Sequence, residues 1–272
     1  MADKGGDLRQ TYAGQLLRAC GGDPRVALEE IKIAAKGLRA SKQYKPQNDE
    51  VVVRVEDVSK TYKMGKTRVD ALKQVSLTVH KGEFIAITGT SGSGKSTLLQ
   101  LIGGLDKPTS GAITVHDQDL KKLSDGKLSR FRNRTIGFVF QFFYLQPFLR
   151  LQTNIEVPAM FARTKRGVRS SKSSELAGMV GLSDRLRHYP RELSGGQMQR
   201  AAIARALQND PDILLADEPT GNLDHANATA IFDLFKKIRD ERGTTVVVVT
   251  HDLALAAMAD RAVHMADGGL VA

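Results

Sequence analysis

A single cysteine, Cys20, stands in 272 residues, so no disulfide can close within the chain, in keeping with a reducing compartment. The six histidines are scattered, and no Cys/His pair has metal-ligand spacing, which argues against structural zinc. No apolar run approaches the ~18 residues that a membrane helix needs, and the polar, charged N-terminus carries no secretory pattern. No internal repeat is visible. What remains is 41% hydrophobic, enough for one sizeable core and a small appendage. Net charge is +10, and much of it falls in two stretches. One runs from Lys121 and Lys122 through Lys127, Arg130 and Arg132 to Arg134; the other holds Arg150, Arg163, Lys165, Arg166, Arg169 and Lys172. Each has two readings, a solvated helix face or a surface for anionic partners such as nucleic acid or lipid headgroups.

Residues 1–50 read as an appendage. Leu8, Tyr12 and Leu16 have helical spacing, Gly21-Gly22 ends that helix, and Asp23-Pro24 starts a second one bearing Leu28, Ile31, Ala35 and Leu38. The polar stretch from Ser41 to Glu50, with Pro46, is a linker. From residue 51 to 272 strand and helix patterns alternate. Val51–Val55, Val69–Val79, Phe84–Thr88, Gly111–Val115, Ile136–Phe140, Ile213–Ala216, Thr245–Val249 and Arg261–Met265 are strand runs. Residues 142–205 read as mostly helical, with Pro147, Pro158 and Pro190 as punctuation. Such alternation predicts an α/β fold around a mostly parallel sheet covered on both faces.

The chemistry centres on Gly89-Thr-Ser-Gly-Ser-Gly-Lys-Ser-Thr97, between an apolar strand run and the apolar run Leu98–Ile102. Gly89, Gly92 and Gly94 let successive N–H groups, with those of Ser91, Ser93 and Thr97, face one concavity that a helix N-terminus completes. That is a cradle for nucleotide phosphates, with Lys95 as a point charge and the Ser96 hydroxyl as a Mg²⁺ ligand. Ile213–Ala216 then delivers Asp217 and Glu218 to the carboxyl edge of the sheet, where ligands bind. Asp217 is suited to the same Mg²⁺, and Glu218 to orienting or deprotonating an attacking water.

Leu193-Ser-Gly-Gly-Gln197, shortly before Asp217-Glu218, resembles the signature motif of ATP-binding cassette ATPases. Locally it is also a Ser N-cap opening the helix Gln197–Leu207. The resemblance covers about residues 51–270. It implies the P-loop cassette fold, with an antiparallel β subdomain and an inserted helical subdomain at about 142–205, and an ATPase using ATP and Mg²⁺. By resemblance, Tyr62 stacks on adenine and Gln141 senses Mg²⁺ and the attacking water. Asp224, in Asn222-Leu-Asp224, lies in the loop that crosses between paired subunits, and His251 contacts the γ-phosphate. Ser194, Gly195, Gly196 and Gln197 of one subunit would complete the site of Lys95, Ser96, Gln141, Asp217, Glu218 and His251 in the other. Met198 stands where relatives often have a polar residue.

Ala216-Asp-Glu-Pro-Thr-Gly-Asn-Leu-Asp224 and Gly103-Gly-Leu-Asp-Lys-Pro-Thr-Ser-Gly111 are similar to the branch that serves macrolide export, lipoprotein release and cell division. The resemblance implies a head-to-tail dimer, a homodimer by expectation, that closes on ATP and opens after hydrolysis. It further implies an integral membrane permease as partner and a cytoplasmic position on the inner face of the membrane. No stable nucleic acid is expected, although a soluble cassette ATPase acting on nucleic acid or ribosomes is the alternative that the charge favours. Phe142, Phe143, Tyr144, Phe148 and Leu149 read either as subdomain core or as a groove for a membrane partner's helix.

Overall fold

In the computed structural model, residues 48–65 and 67–271 are described; the helical hairpin read in residues 1–50 therefore lies almost wholly outside them. Two sheets organise the chain. A four-stranded antiparallel sheet, in the order β2-β1-β4-β5, is built from β1 (Val51–Met64), β2 (Thr67–His80), β4 (Ser110–Val115) and β5 (Gln118–Asp119). The other has the order β10-β9-β3-β8-β7-β6: β3 (Phe84–Gly89), β6 (Ile136–Phe140), β7 (Ile213–Asp217), β8 (Thr245–Val249), β9 (Arg261–Ala266) and β10 (Gly269–Val271). Its strands are parallel except β10, which turns back against β9.

The period of two along the central strands sorts their side chains into two cores. Ile85, Ile87, Leu215, Val247 and Val249 face the helix α1 (Lys95–Ile102) and, beyond it, Val53, Val55 and Ile113 of the antiparallel sheet. Phe84, Leu214, Ala216, Val246 and Val248 point the opposite way, into a second core. That core is filled from α5 (Gly195–Ala206) and α6 (His225–Arg242), whose Phe232 and Phe235 pack on Phe84 with ring centroids 5.9 and 6.3 Å away. Each such fully buried Phe contributes about 1.5–3 kcal/mol of transfer free energy. α1 is thus clamped between sheets, and the loop before it has a fixed floor.

The helical region needs one correction. Residues 142–150 are irregular, and helix begins only with α3 (Leu151–Phe161), followed by α4 (Arg166–Met179). Tyr144 takes a left-handed φ of 46° and Pro147 follows, both against helix. The buried Asn154 holds the irregular stretch instead, accepting from Gln146 N at 2.7 Å and donating to the carbonyls of Gln146 and Leu149. Pro158, in contrast, punctuates nothing, since it lies inside α3 one turn from its end. Its carbonyl is bound by Ala162 N and by Asn133 Nδ2, each at 3.1 Å. The basic run around Arg130 forms α2 (Asp125–Thr135), and the last short helix is α7 (Leu253–Ala256).

Candidate active site

Parallel pairing sets the site. The register Ile87↔Val249, Asp217↔Val249 and Phe140↔Asp217 ends β3, β8, β7 and β6 at one edge. β3 ends in Gly89 and runs into its loop, and beyond the ends of β8, β7 and β6 come His251, Glu218 and Gln141. All the strand-end residues singled out in the sequence therefore arrive on one rim.

The loop Gly89–Thr97 cannot tolerate side chains at its two hinges. A Cβ on Gly89, at φ 149°, would sit 2.3 Å from the carbonyl oxygen of Met265; one on Gly94, at φ 99°, would sit 2.4 Å from that of Ala71. Gly94 is also the N-cap of α1, and no side chain caps that end, so its first N–H groups face the loop's interior. The hydroxyl of Ser93 is buried there without a hydrogen-bond partner. Lys95 is buried too, and its Nζ donates to the carbonyls of Gly89 at 2.8 Å and Thr90 at 2.9 Å. Burial pulls the ammonium below its ordinary pKa, against the raising influence of Glu218 and Asp217.

Ser96 Oγ donates to Asp217 Oδ1 at 2.8 Å, joining the loop to the end of β7. Burial raises the Asp217 carboxyl above the usual carboxylate range; the Ser96 hydroxyl opposes this and the charge of Glu218 adds to it. An acid kept short of compensating charge beside a hydroxyl is what a hard cation with oxygen ligands would find matched to it.

Glu218 has a left-handed φ of 46°, anchored by its N–H on the carbonyl of Val249 at 3.0 Å. This bend turns its Oε2 to within 2.8 Å of His251 Nδ1. The carboxylate is largely covered while the histidine is 69% exposed, so the pair opens outward from the rim. A carboxylate and an imidazole in contact can hold and pass a proton.

Gln141 and the signature residues occupy the two sides of one segment, 219–224. A Cβ on Gly221 would meet Gln141 Nε2 at 2.9 Å, and Asn222 Nδ2 donates to the carbonyl of Gln141 at 3.1 Å. Across the segment, Gly195 faces Leu223, and Gly196 leaves room for Asn227, whose Oδ1 would lie 2.5 Å from an added Cβ. Asp224 caps α6 by accepting from Asn227 N at 2.8 Å, which holds its carboxyl below its ordinary range. Ser194 caps α5 in a reciprocal box with Gln197, as its local sequence indicates. Ser194 is exposed, so the N-terminus of α5 faces outward.

Tyr62 lies within β1, its hydroxyl donating to Asp106 Oδ2 at 2.9 Å and Lys60 Nζ standing 4.8 Å from its ring centroid. Burial, then Asp106, raises its pKa. Asp106 as the anchor of this aromatic was not anticipated, because 44 residues separate the two. Arg205 was missed as well. Its guanidinium donates to the carbonyls of Tyr144 at 2.6 Å and Phe143 at 2.8 Å, and burial alone lowers its pKa. A signal existed, since Arg205 is four residues after the fully buried Ala201 and so shares its inward face. The aromatic stretch divides. Phe142, Tyr144 and Phe148 are 62–72% exposed, whereas Phe143 and Leu149 are partly covered.

Known proteins share this framework. The family model described as ABC transporter matches residues 72–221. The lipoprotein-releasing system ATP-binding protein LolD of Geobacter metallireducens is 48% identical over 221 residues, spanning 81% of this chain and 98% of that protein. The uncharacterized ABC transporter ATP-binding protein YvrO of Bacillus subtilis is 49% identical over 215 residues, or 79% of this chain and 93% of its own length. Among solved structures, the dimeric bacterial ABC transporter cassette MJ0796 matches with a TM-score of 0.76 at 44% identity, covering 81% of this chain and 97% of its own. A dimer of that cassette in a post-hydrolysis state, bound to ADP and Pi, gives 0.75.

Proposed function

The chain belongs to the ABC transporter family as an ATP-binding ATPase subunit, and we propose that it powers a membrane transporter or mechanotransmission complex as a head-to-tail homodimer. The single observation that carries this reading is the separation of the site into two sets. Lys95, Ser96, Asp217, Glu218 and His251 line the sheet's rim, while Ser194–Gly196 opens an outward-facing helix N-terminus held by Asn227 and Leu223. A second copy supplies what each rim lacks, as the dimeric relative supports.

In this reading the loop N–H groups and Lys95 hold the β- and γ-phosphates, and Tyr62 receives the adenine ring. The Ser96 hydroxyl and Asp217 carboxylate would hold Mg²⁺. Among the described residues no cluster of three His, Cys, Asp or Glu could hold a metal, so the remaining ligands would be phosphate oxygens and water. The ion supplies charge neutralisation on the phosphates. Glu218 orients the attacking water and takes its proton, and His251 holds that carboxylate in place and reaches the γ-phosphate. Gln141 and the partner's signature helix are linked through the segment 219–224, so that closure over ATP and the state of the phosphates are felt together. Catalysis is then chiefly positioning and electrostatic stabilisation.

The membrane subunit is a proposal from kinship. Identity is equally high to a lipoprotein-release ATPase and to a transporter ATPase of no stated cargo, so the reading concerns the motor common to both. No helix among the described residues is long and apolar enough to cross a membrane. The exposed Phe142, Tyr144 and Phe148, adjoining Gln141, suit a permease's helix. Affinity purification of the chain from native membranes in mild detergent tests this. A stoichiometric integral membrane protein is expected; recovery with RNA or ribosomes and no membrane subunit would overturn the proposal.

A further inference from the structure

The two basic stretches that lie apart in the sequence are fastened together in the fold. Asn133, near the end of α2, donates to the carbonyl of Pro158 in α3 at 3.1 Å, and Asn209 Nδ2 donates in turn to the carbonyl of Asn133 at 2.9 Å. Arg130 and Arg134 lie exposed on the helix so fastened, and the turn joining α3 to α4 exposes Arg163, Lys165 and Arg166. None of these five is paired with a carboxylate among the described residues. Within this basic surface the turn carries an apolar tip. Phe161 is 80% exposed and Val168 60% exposed, with Met160 beside them.

The tip is an ordered feature. Arg169 bridges it from below, its Nε on Glu156 Oε2 at 2.8 Å and its Nη1 on the carbonyl of Thr164 at 3.1 Å. Arg163 adopts a left-handed φ of 59°, and its N–H closes on Met160 O at 3.0 Å. The turn is thus held by hydrogen bonds while the ends of α3 and α4 present Phe161 and Val168 to the outside, with the exposed Arg163, Lys165 and Arg166 between them in sequence.

We propose that this turn, with the end of α2, docks directly on an anionic lipid bilayer, Phe161 and Val168 entering the headgroup boundary and the cations pairing with lipid phosphates. Charge selects this occupant. The same patch on a second copy would set cations against cations, and residues 1–47, with nine basic and five acidic side chains, are net cationic as well. An aliphatic-plus-aromatic tip favours hydrocarbon over nucleic acid, which would use aromatic stacking and gain nothing from Val168 or Met160. The contact needs no permease and no nucleotide, so it stands or falls separately from the ATPase reading.

Flotation of the full chain with vesicles provides the test. Binding to phosphatidylcholine vesicles containing phosphatidylglycerol, weakened by salt, is expected, with little binding to pure phosphatidylcholine. Both Phe161→Ser/Val168→Ser and Arg163→Glu/Arg166→Glu should weaken binding at least about tenfold, while ATP hydrolysis and thermal melting stay at parental values. The charge-matched control Lys73→Glu/Lys237→Glu, on exposed residues elsewhere, should float like the parent. Equal binding to neutral and anionic vesicles, or a control that fails as badly as the turn variants, would overturn the proposal. So would an absence of flotation together with retention of single-stranded RNA that the Phe161 variant loses.

Discussion

The hydroxyl of Ser96 meets the carboxylate of Asp217 at 2.8 Å across 121 residues of sequence, tying the phosphate loop to the end of β7. This bond closes the rim on itself, and it does so around an acid that burial has made reluctant to ionise.

Asp217→Asn separates stability from function. A carboxyl whose folded pKa is raised contributes stability that is complete below its unfolded value of about 4 and is lost as pH rises through the folded value. At pH 7, above that unfolded value, the ligand-free Asp217 carboxyl is therefore a net cost that asparagine removes, while its side-chain oxygen still accepts from Ser96. Calorimetry should show the variant melting no lower than the parent at pH 7, with less loss of stability between pH 4 and 7. The parent gains about 2.7 kcal/mol from MgATP at a hundredfold excess over Kd, and the Mg²⁺-dependent part of that gain should vanish in the variant. A large drop in the ligand-free melt with an intact Mg²⁺ response would contradict the assignment.

Lys95 spans the loop by donating to Gly89 and Thr90, and it is buried at the start of α1. Lys95→Ala removes a charge-assisted contact to phosphate, worth about 1.5–3 kcal/mol per bond. ATP binding, followed by isothermal titration, should be lost at concentrations that saturate the parent, with the fold retained by circular dichroism. Unchanged affinity would remove lysine from the phosphate site.

Arg205 is a strut between the helix that begins with the signature residues and the chain after Gln141. In Arg205→Met the carbonyls of Phe143 and Tyr144 lose their donors, at a stability cost of about 1.5–3 kcal/mol. Because Lys95 and Ser96 are untouched, ATP affinity should stay within about twofold, whereas turnover should fall at least about tenfold as the two halves lose register. Equal losses in affinity and turnover would point to a fold-wide effect instead.

How far the sequence reveals this site depends on the range of the interactions. Strand alternation and the loop Gly89–Thr97 are local patterns, and both stand in the fold where the periodicity puts them. Asp217 and Glu218 follow from a strand end, since a parallel sheet delivers them to its carboxyl edge, whereas His251 is singled out by family resemblance alone. Pro158 misleads because a proline near a helix end costs one N–H bond, and contacts to its carbonyl from Asn133 and Ala162 keep the turn intact. Asp106 under Tyr62, Arg205 under Tyr144 and the Asn133–Pro158 clasp join residues 25 to 61 positions apart. No periodicity encodes such pairs; they form only once β1 packs beside the turn after α1, α2 against α3, and α5 against the chain after β6.

The most direct test concerns Glu218, held at 2.8 Å from His251 and assigned to the attacking water. Glu218→Gln keeps the shape and hydrogen-bonding reach of the side chain but removes the base, so hydrolysis should fall by a factor of roughly 10²–10⁴ while ATP still binds. Light scattering during gel filtration with MgATP should then show the variant as a stable dimer and the parent returning to monomer as ATP is consumed. Equal monomer fractions of the variant with and without ATP would contradict the composite site on which the account rests.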